Sequence, residues 1–172
     1  MECHRHSVCF FANLFRGTSV YIKYLLGWLS DGSGLLYGVE VREGTALKIL
    51  NLASGMITNL FTANTGSLAS ISPDGNEIAF FDNIDKTTSG LYVARLDDSS
   101  NRRLVALIRV DVLTEPQMVI GIPVWSPDGK WLAVNIISLG KAQAEVAAAL
   151  VNPQTCQIIP LPITGEVDSW IH

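Results

Sequence analysis

Ile71-Ser72-Pro73-Asp74-Gly75-Asn76-Glu77-Ile78-Ala79-Phe80 decides the fold when set beside Trp125-Ser126-Pro127-Asp128-Gly129-Lys130-Trp131-Leu132-Ala133-Val134. A looser copy stands upstream, Trp28-Leu29-Ser30-Asp31-Gly32, and a further start appears at Trp170. The four starts are 43, 54 and 45 residues apart. Behind each Asp-Gly comes an apolar run: Leu35-Leu36-Tyr37, Ile78-Ala79-Phe80 and Leu132-Ala133-Val134. A second apolar stretch follows at Leu47 to Leu52, Leu91 to Leu96 and Val146 to Val151. Polar turns at Ser54-Gly55, Asp98-Ser99 and Pro153-Gln154 lead into a third, at Ile57 to Phe61, Leu104 to Ile108 and Ile158 to Leu161.

Short apolar runs bounded by Gly, Pro, Asp and Ser have the punctuation of strands. The corner itself has a mechanism. Proline presets φ, aspartate accepts from nearby backbone amides, and glycine takes positive φ so that the chain can return antiparallel. Four strands recurring every 40–50 residues or so define the blades of a propeller. The expected fold is therefore all-β: a partial β-propeller of about three four-stranded antiparallel blades in an open arc. The repeat divides the chain into a tail or remnant of a preceding blade (1–16), blade 1 (17–62), blade 2 (63–108), a long inter-blade connector (109–123), blade 3 (124–162) and the first strand of a further blade (163–172). Lys141 to Leu150 is rich in alanine and has helical propensity, but its place in the repeat requires a loop and then a strand.

The segments ISPDGNEIAFFDN and VWSPDGKWLAV, and a following strand such as LYVARLDDSS, resemble the WD-like repeats of TolB-type β-propellers. The resemblance spans about Gly17 to His172, with Leu29-Ser30 departing from the usual Ser-Pro. It implies a non-enzymatic repeat module that binds protein or peptide, and it favours the periplasm or cell envelope. Similar repeats occur in the gating propellers of prolyl-oligopeptidase-type serine peptidases, where a hydrolase domain carries the chemistry. An envelope sensor or lipoprotein ectodomain is a third expectation.

Composition excludes several other classes. The chain has 172 residues, 48% of them hydrophobic and 16% charged, with a mean hydropathy of +0.30. Disordered chains are less hydrophobic and more charged. A net charge of −4 lacks the basic stripe of a nucleic-acid binder. Cys3, Cys9 and Cys156 are too few and too scattered for a disulfide framework. No apolar run reaches the roughly 18 residues of a membrane span; Val8 to Phe15 is about half that and resembles a signal segment only weakly. Neither a Gly-x-Ser-x-Gly elbow nor a phosphate loop is present, so no catalytic residue and no cofactor is expected. Cys3, His4, His6 and Cys9 are metal-ligand types, but their spacing fits no standard finger, and no metal is expected.

Place in the repeat gives each side chain its expected role. Asp31, Gly32, Pro73, Asp74, Gly75, Pro127, Asp128 and Gly129 form the turns, and Trp28, Ile71, Trp125 and Trp170 pack between blades. Up-and-down strand order puts the tight corners on one rim and the long segments on the other. The long segments are Glu40 to Thr45, Asp82 to Gly90, Ile108 to Pro123 and Ser138 to Ala144. Long loops on a rigid scaffold are where binding concentrates. Arg42, Glu43, Asp82, Asp85, Lys86, Asp111, Glu115 and Lys141 are thus the candidate partner rim. An open arc also exposes apolar sheet faces, so self-association is expected.

Overall fold

A computed structural model describes residues 24–64, 68–85, 88–109, 117–139, 144–163 and 169–170. These residues are all-β. The first sheet runs in the order β1 (Tyr24–Trp28), β2 (Gly34–Val41), β3 (Gly44–Asn51) and β4 (Ile57–Ala63). The second repeats it with β5 (Ala69–Ile71), β6 (Glu77–Asn83), β7 (Thr88–Arg95) and β8 (Arg102–Arg109). The third uses β10 (Val124–Trp125), β11 (Leu132–Leu139), β12 (Ala144–Val151) and β13 (Ile158–Leu161). Along these three paths each strand pairs antiparallel with its sequence neighbour, and β5 lies against both β1 and β10, so the first strands gather side by side. None of the sheets closes into a barrel.

Within the stretch assigned to the connector, Gln117–Ile120 forms a further strand, β9. It pairs with Ile136–Leu139 of β11, while β10 pairs with Leu132 and Ala133 lower on the same strand. The two pieces make one innermost strand, interrupted at Gly121-Ile122-Pro123. The ladder bridges the break once, Gly121 N donating to the Asn135 carbonyl at 3.0 Å. Pro123 has no N–H to offer, which explains why pairing lapses there. The alanine-rich segment forms β12, held between β11 and β13; pairing on both edges outweighs its helical propensity.

The three corners superimpose as hydrogen-bond patterns. The residue before the turn pairs its N–H with the carbonyl five residues on: Leu29 with Gly34, Ser72 with Glu77, Ser126 with Trp131. The corner glycines donate back to Leu29, Ser72 and Ser126 at 2.8–2.9 Å. Gly32, Gly75 and Gly129 have φ of +70°, +74° and +69°, the left-handed region that a Cβ disfavours. In sheets 2 and 3 a serine hydroxyl completes the turn. Ser72 Oγ accepts from Glu77 N at 2.9 Å and donates to Asp74 Oδ1 at 2.6 Å. Ser126 does the same with Trp131 N and Asp128. Leu29 has no hydroxyl, so the first corner keeps the backbone frame and the aspartate bond, Ser33 N to Asp31 Oδ1, without the relay.

Two apolar cores alternate with the sheets. Leu36 and Leu47 of sheet 1 meet Ile78, Phe80 and Ala94 of sheet 2. Phe80 lies 4.3 Å from Phe61 and 5.6 Å from Tyr92, ring centre to centre. Ala79, Phe81, Leu91 and Val93, on the other face of sheet 2, meet Trp125, Leu132, Val134 and Val151 of sheet 3. Burial on both faces is why Ile78-Ala79-Phe80-Phe81 is continuously apolar and does not alternate. Each such large side chain contributes about 1.5–3 kcal/mol on leaving water.

Candidate functional site

Strand order gives the stack two rims. The tight corners after β1, β5 and β10 share one with the turns after β3, β7 and β12. Those second turns are held by Asn51 Oδ1, which accepts from Ala53 N and Ser54 N, and by Asn152 Oδ1, which accepts from Gln154 N and Thr155 N. Between the corners of sheets 2 and 3 lies a cleft of about 220 Å³ lined by Ser72, Pro73, Asp74, Glu77, Pro127, Asp128, Gly129 and Gln154.

The cleft is anionic, and its charge is fixed by the corners themselves. The Ser72 hydroxyl, then Asn76, hold the Asp74 carboxyl below its ordinary value. The Ser126 hydroxyl and then the Lys130 backbone N–H do the same for Asp128. Hydrogen bonds to the ionised form favour it. Lys130 Nζ stands 3.4 Å from Asp128 Oδ2 in an exposed pair. In the first corner the Ser33 backbone N–H lowers Asp31 likewise. The hydroxyl-anchored carboxylates of sheets 2 and 3, Asp74 and Asp128, can receive ammonium or guanidinium groups. Among the described residues no three His, Cys, Asp or Glu side chains gather in a way that could hold a metal ion.

The opposite rim carries Arg42 and Glu43, exposed between β2 and β3, and Asp85, exposed after β6. Lys86, Asp111, Glu115 and Lys141 lie outside the described residues. Asp82 is a correction. Expected to face solvent, it is 6% exposed and committed inside the fold. Its Oδ1 accepts from Asn64 N at 2.8 Å and Asn83 N at 3.0 Å, and its Oδ2 takes Arg102 NH1 at 2.8 Å. Arg102 in turn lies over the Phe61 ring. The acid ties the approach to β5 onto sheet 2 and presents no carboxylate oxygen to a partner. The cleft between corners was missed from sequence because each Asp-Gly was read as a turn alone; the recurring Ser two residues before Asp was the available signal.

The first-strand side chains do not behave alike. Trp125 is 7% exposed and donates from Nε1 to the Ser70 carbonyl at 3.2 Å. Trp170 donates to the Val124 carbonyl at 3.3 Å. Ile71 packs against the core between sheets 1 and 2. Trp28 is 62% exposed. Ser70 Oγ adds a 2.5 Å bond to the Pro123 carbonyl, and Arg103 reaches the Pro153 carbonyl, so sheets 2 and 3 are joined at both inner and outer strands.

Comparison with known proteins places the fold. No family model matches the chain. No curated protein matches it either. Solved structures do. A protein assigned as TolB from Agrobacterium tumefaciens is 20% identical with a TM-score of 0.55; the match covers 80% of this chain and 48% of that one. An uncharacterised protein of Listeria monocytogenes is 16% identical, TM-score 0.59, over 89% of this chain and 44% of that one. The β-propeller domain of the Trilobed protease from Pyrococcus furiosus, described as having an open velcro topology, is 19% identical, TM-score 0.56, over 83% and 43%. The chain thus spans under half the length of these structures. Its fold is a partial TolB-like β-propeller, and its three sheets are blades.

Proposed function

We propose that this chain is a non-enzymatic propeller module that binds a protein or peptide partner through its loop rims. The cleft between the corners of blades 2 and 3 carries the reading, since it combines concavity with carboxylates kept ionised by buried serine hydroxyls. Basic side chains of a partner suit it. Arg42, Glu43 and Asp85 offer a second contact zone on the opposite rim. Titration of the chain with arginine-rich and glutamate-rich peptides, followed by amide chemical shifts, tests this. Basic peptides are expected to move the Gly75 and Gly129 amides. Shifts confined to Arg42, Glu43 and Asp85 would transfer the site to the other rim, and no shift with either peptide would end the proposal.

A second reading is favoured by the likeness to a protease propeller domain: the chain gates access to a peptidase domain elsewhere in a longer protein. A catalytic domain in the same reading frame would select it. In either reading, we propose that the isolated chain self-associates through the apolar side chains it leaves in solvent, Leu25, Trp28 and Ile57 among them. A monodisperse monomer in light scattering at working concentration contradicts that.

A further inference from the structure

The corner cleft belongs to neither blade alone. Its wall on blade 2 carries Asp74 and Glu77, and its wall on blade 3 carries Asp128 and Gln154. The bonds from Ser72 to Asp74 and from Ser126 to Asp128 each stay within one blade. The separation of the walls is therefore set by what joins the blades. On the inner strands, Trp125 directly precedes Ser126, and its Nε1 donates to the carbonyl of Ser70, two residues before Ser72. Ser70 Oγ donates in turn to the Pro123 carbonyl at 2.5 Å. On the outer side, Arg103 of β8 donates to the carbonyl of Pro153, whose neighbour Gln154 lines the cleft. Trp125 is 7% exposed and Pro153 is fully buried, so both joints are anchored in packed surroundings. Neither Trp125 nor Arg103 lines the cleft itself. The corners also come close, since a Cβ at Gly129 would stand 4.0 Å from Pro73 Cδ.

We propose that Trp125 and Arg103 are positioning residues that set the opening of this cleft, and that a basic partner bound there locks blade 2 to blade 3. The inference deepens the cleft reading and rests on it. A ligand that spans two walls binds best at one separation, and walls held by packed, hydrogen-bonded supports lose less freedom when it arrives. The routes from joint to carboxylate are short, three residues from Trp125 to Asp128 and four from Ser70 to Asp74. They run through turns fixed by the Ser126 and Ser72 hydroxyls, so a change of spacing at the joint is passed on to the carboxylates. The coupling is reciprocal: what keeps the blades docked helps the cleft bind, and a bound partner slows the parting of the blades. Arg103 makes charge and position separable by sign. Its charge alone, beside an anionic cleft, opposes a basic ligand. Its bond to Pro153 favours one.

The test is a chemical-shift titration of the full chain with an arginine-rich peptide, followed at backbone amides and indole N–H groups. In the unaltered chain the peptide should slow hydrogen exchange of the Trp125 indole proton and leave that of the exposed Trp28 unchanged. Trp125→Phe keeps an aromatic ring in the core and removes the donor. It should weaken binding about two- to ten-fold, the reach of one neutral hydrogen bond. Arg103→Met should also weaken binding, although it removes a positive charge. Val134→Ala loosens the same core without touching either bond and should leave the affinity unchanged. Circular dichroism certifies the folding of each variant, and the indole exchange decides the matter even where one fails to fold. Unmoved Gly75 and Gly129 amides overturn the cleft reading and this inference with it. Binding with unchanged Trp125 exchange, tighter binding by Arg103→Met, or equal weakening by Trp125→Phe and Val134→Ala overturns the positioning roles and leaves the cleft standing.

Discussion

Replacing Ser72 by alanine isolates the corner relay from everything else in blade 2. The hydroxyl is buried and makes two bonds, accepting from Glu77 N and donating to Asp74 Oδ1. A neutral bond of the first kind contributes about 1 kcal/mol net, and one to a carboxylate about 1.5–3 kcal/mol. Asp74 is solvent-exposed and keeps its bonds from Asn76, so the lower end applies to the second. The expected loss at neutral pH is about 2–3 kcal/mol, roughly 5–10 °C in Tm for a chain of this size. Urea denaturation monitored by tryptophan fluorescence measures it. The pH dependence sharpens the test. Asp74 is held below its ordinary value of 3.8 chiefly by this hydroxyl, so the folded chain binds fewer protons than the unfolded one in mild acid. That stabilisation is present above the unfolded value and is lost as pH falls through the lower folded value. The gap between wild type and Ser72→Ala should therefore narrow below about pH 4, the unfolded aspartate value. A neutral-pH loss under about 0.5 kcal/mol, far short of two ordinary hydrogen bonds, would refute the relay, as would a gap that does not change with pH.

Gly44 sits at φ +136°, and a Cβ there would meet the Ala63 carbonyl oxygen, so Gly44→Ala should cost about 2–4 kcal/mol in the same denaturation assay. Asp82→Ala removes the acceptor of two backbone amides and strands Arg102, which is partly exposed and can turn to water. A loss of about 2–4 kcal/mol is expected by calorimetry, and Asp82→Asn should recover part of it. Tyr37→Phe deletes a buried hydroxyl without a partner and should raise stability by about 1 kcal/mol, read as a higher urea midpoint at unchanged m-value.

The blade order was legible because its signals are local and repeated. Corner residues must satisfy φ and hydrogen bonding within a few positions, so Ser-Pro-Asp-Gly carries its own geometry wherever it stands. The alanine-rich β12 could be assigned only through the register, since its composition favours a helix. What escaped depends on contacts between distant segments. Nothing near Asp82 in sequence reveals that Asn64 and Arg102 will converge on it, eighteen residues before and twenty after. The pairing of β9 with the upper part of β11 was hidden by a long, variable stretch, and only Gly121 and Pro123 mark the break. The cleft between blades 2 and 3 needs two corners that lie far apart in sequence, so no single window shows it.

Because blade 2 has packed hydrocarbon on both sides, its ladder cannot open to solvent without parting from a neighbour first. Amide protons of β6 and β7 should thus outlast the rest in deuterium exchange, while the flanking sheets fray from their outer faces inward. The centre of the arc acts as a keel, and damage to either side is felt there last.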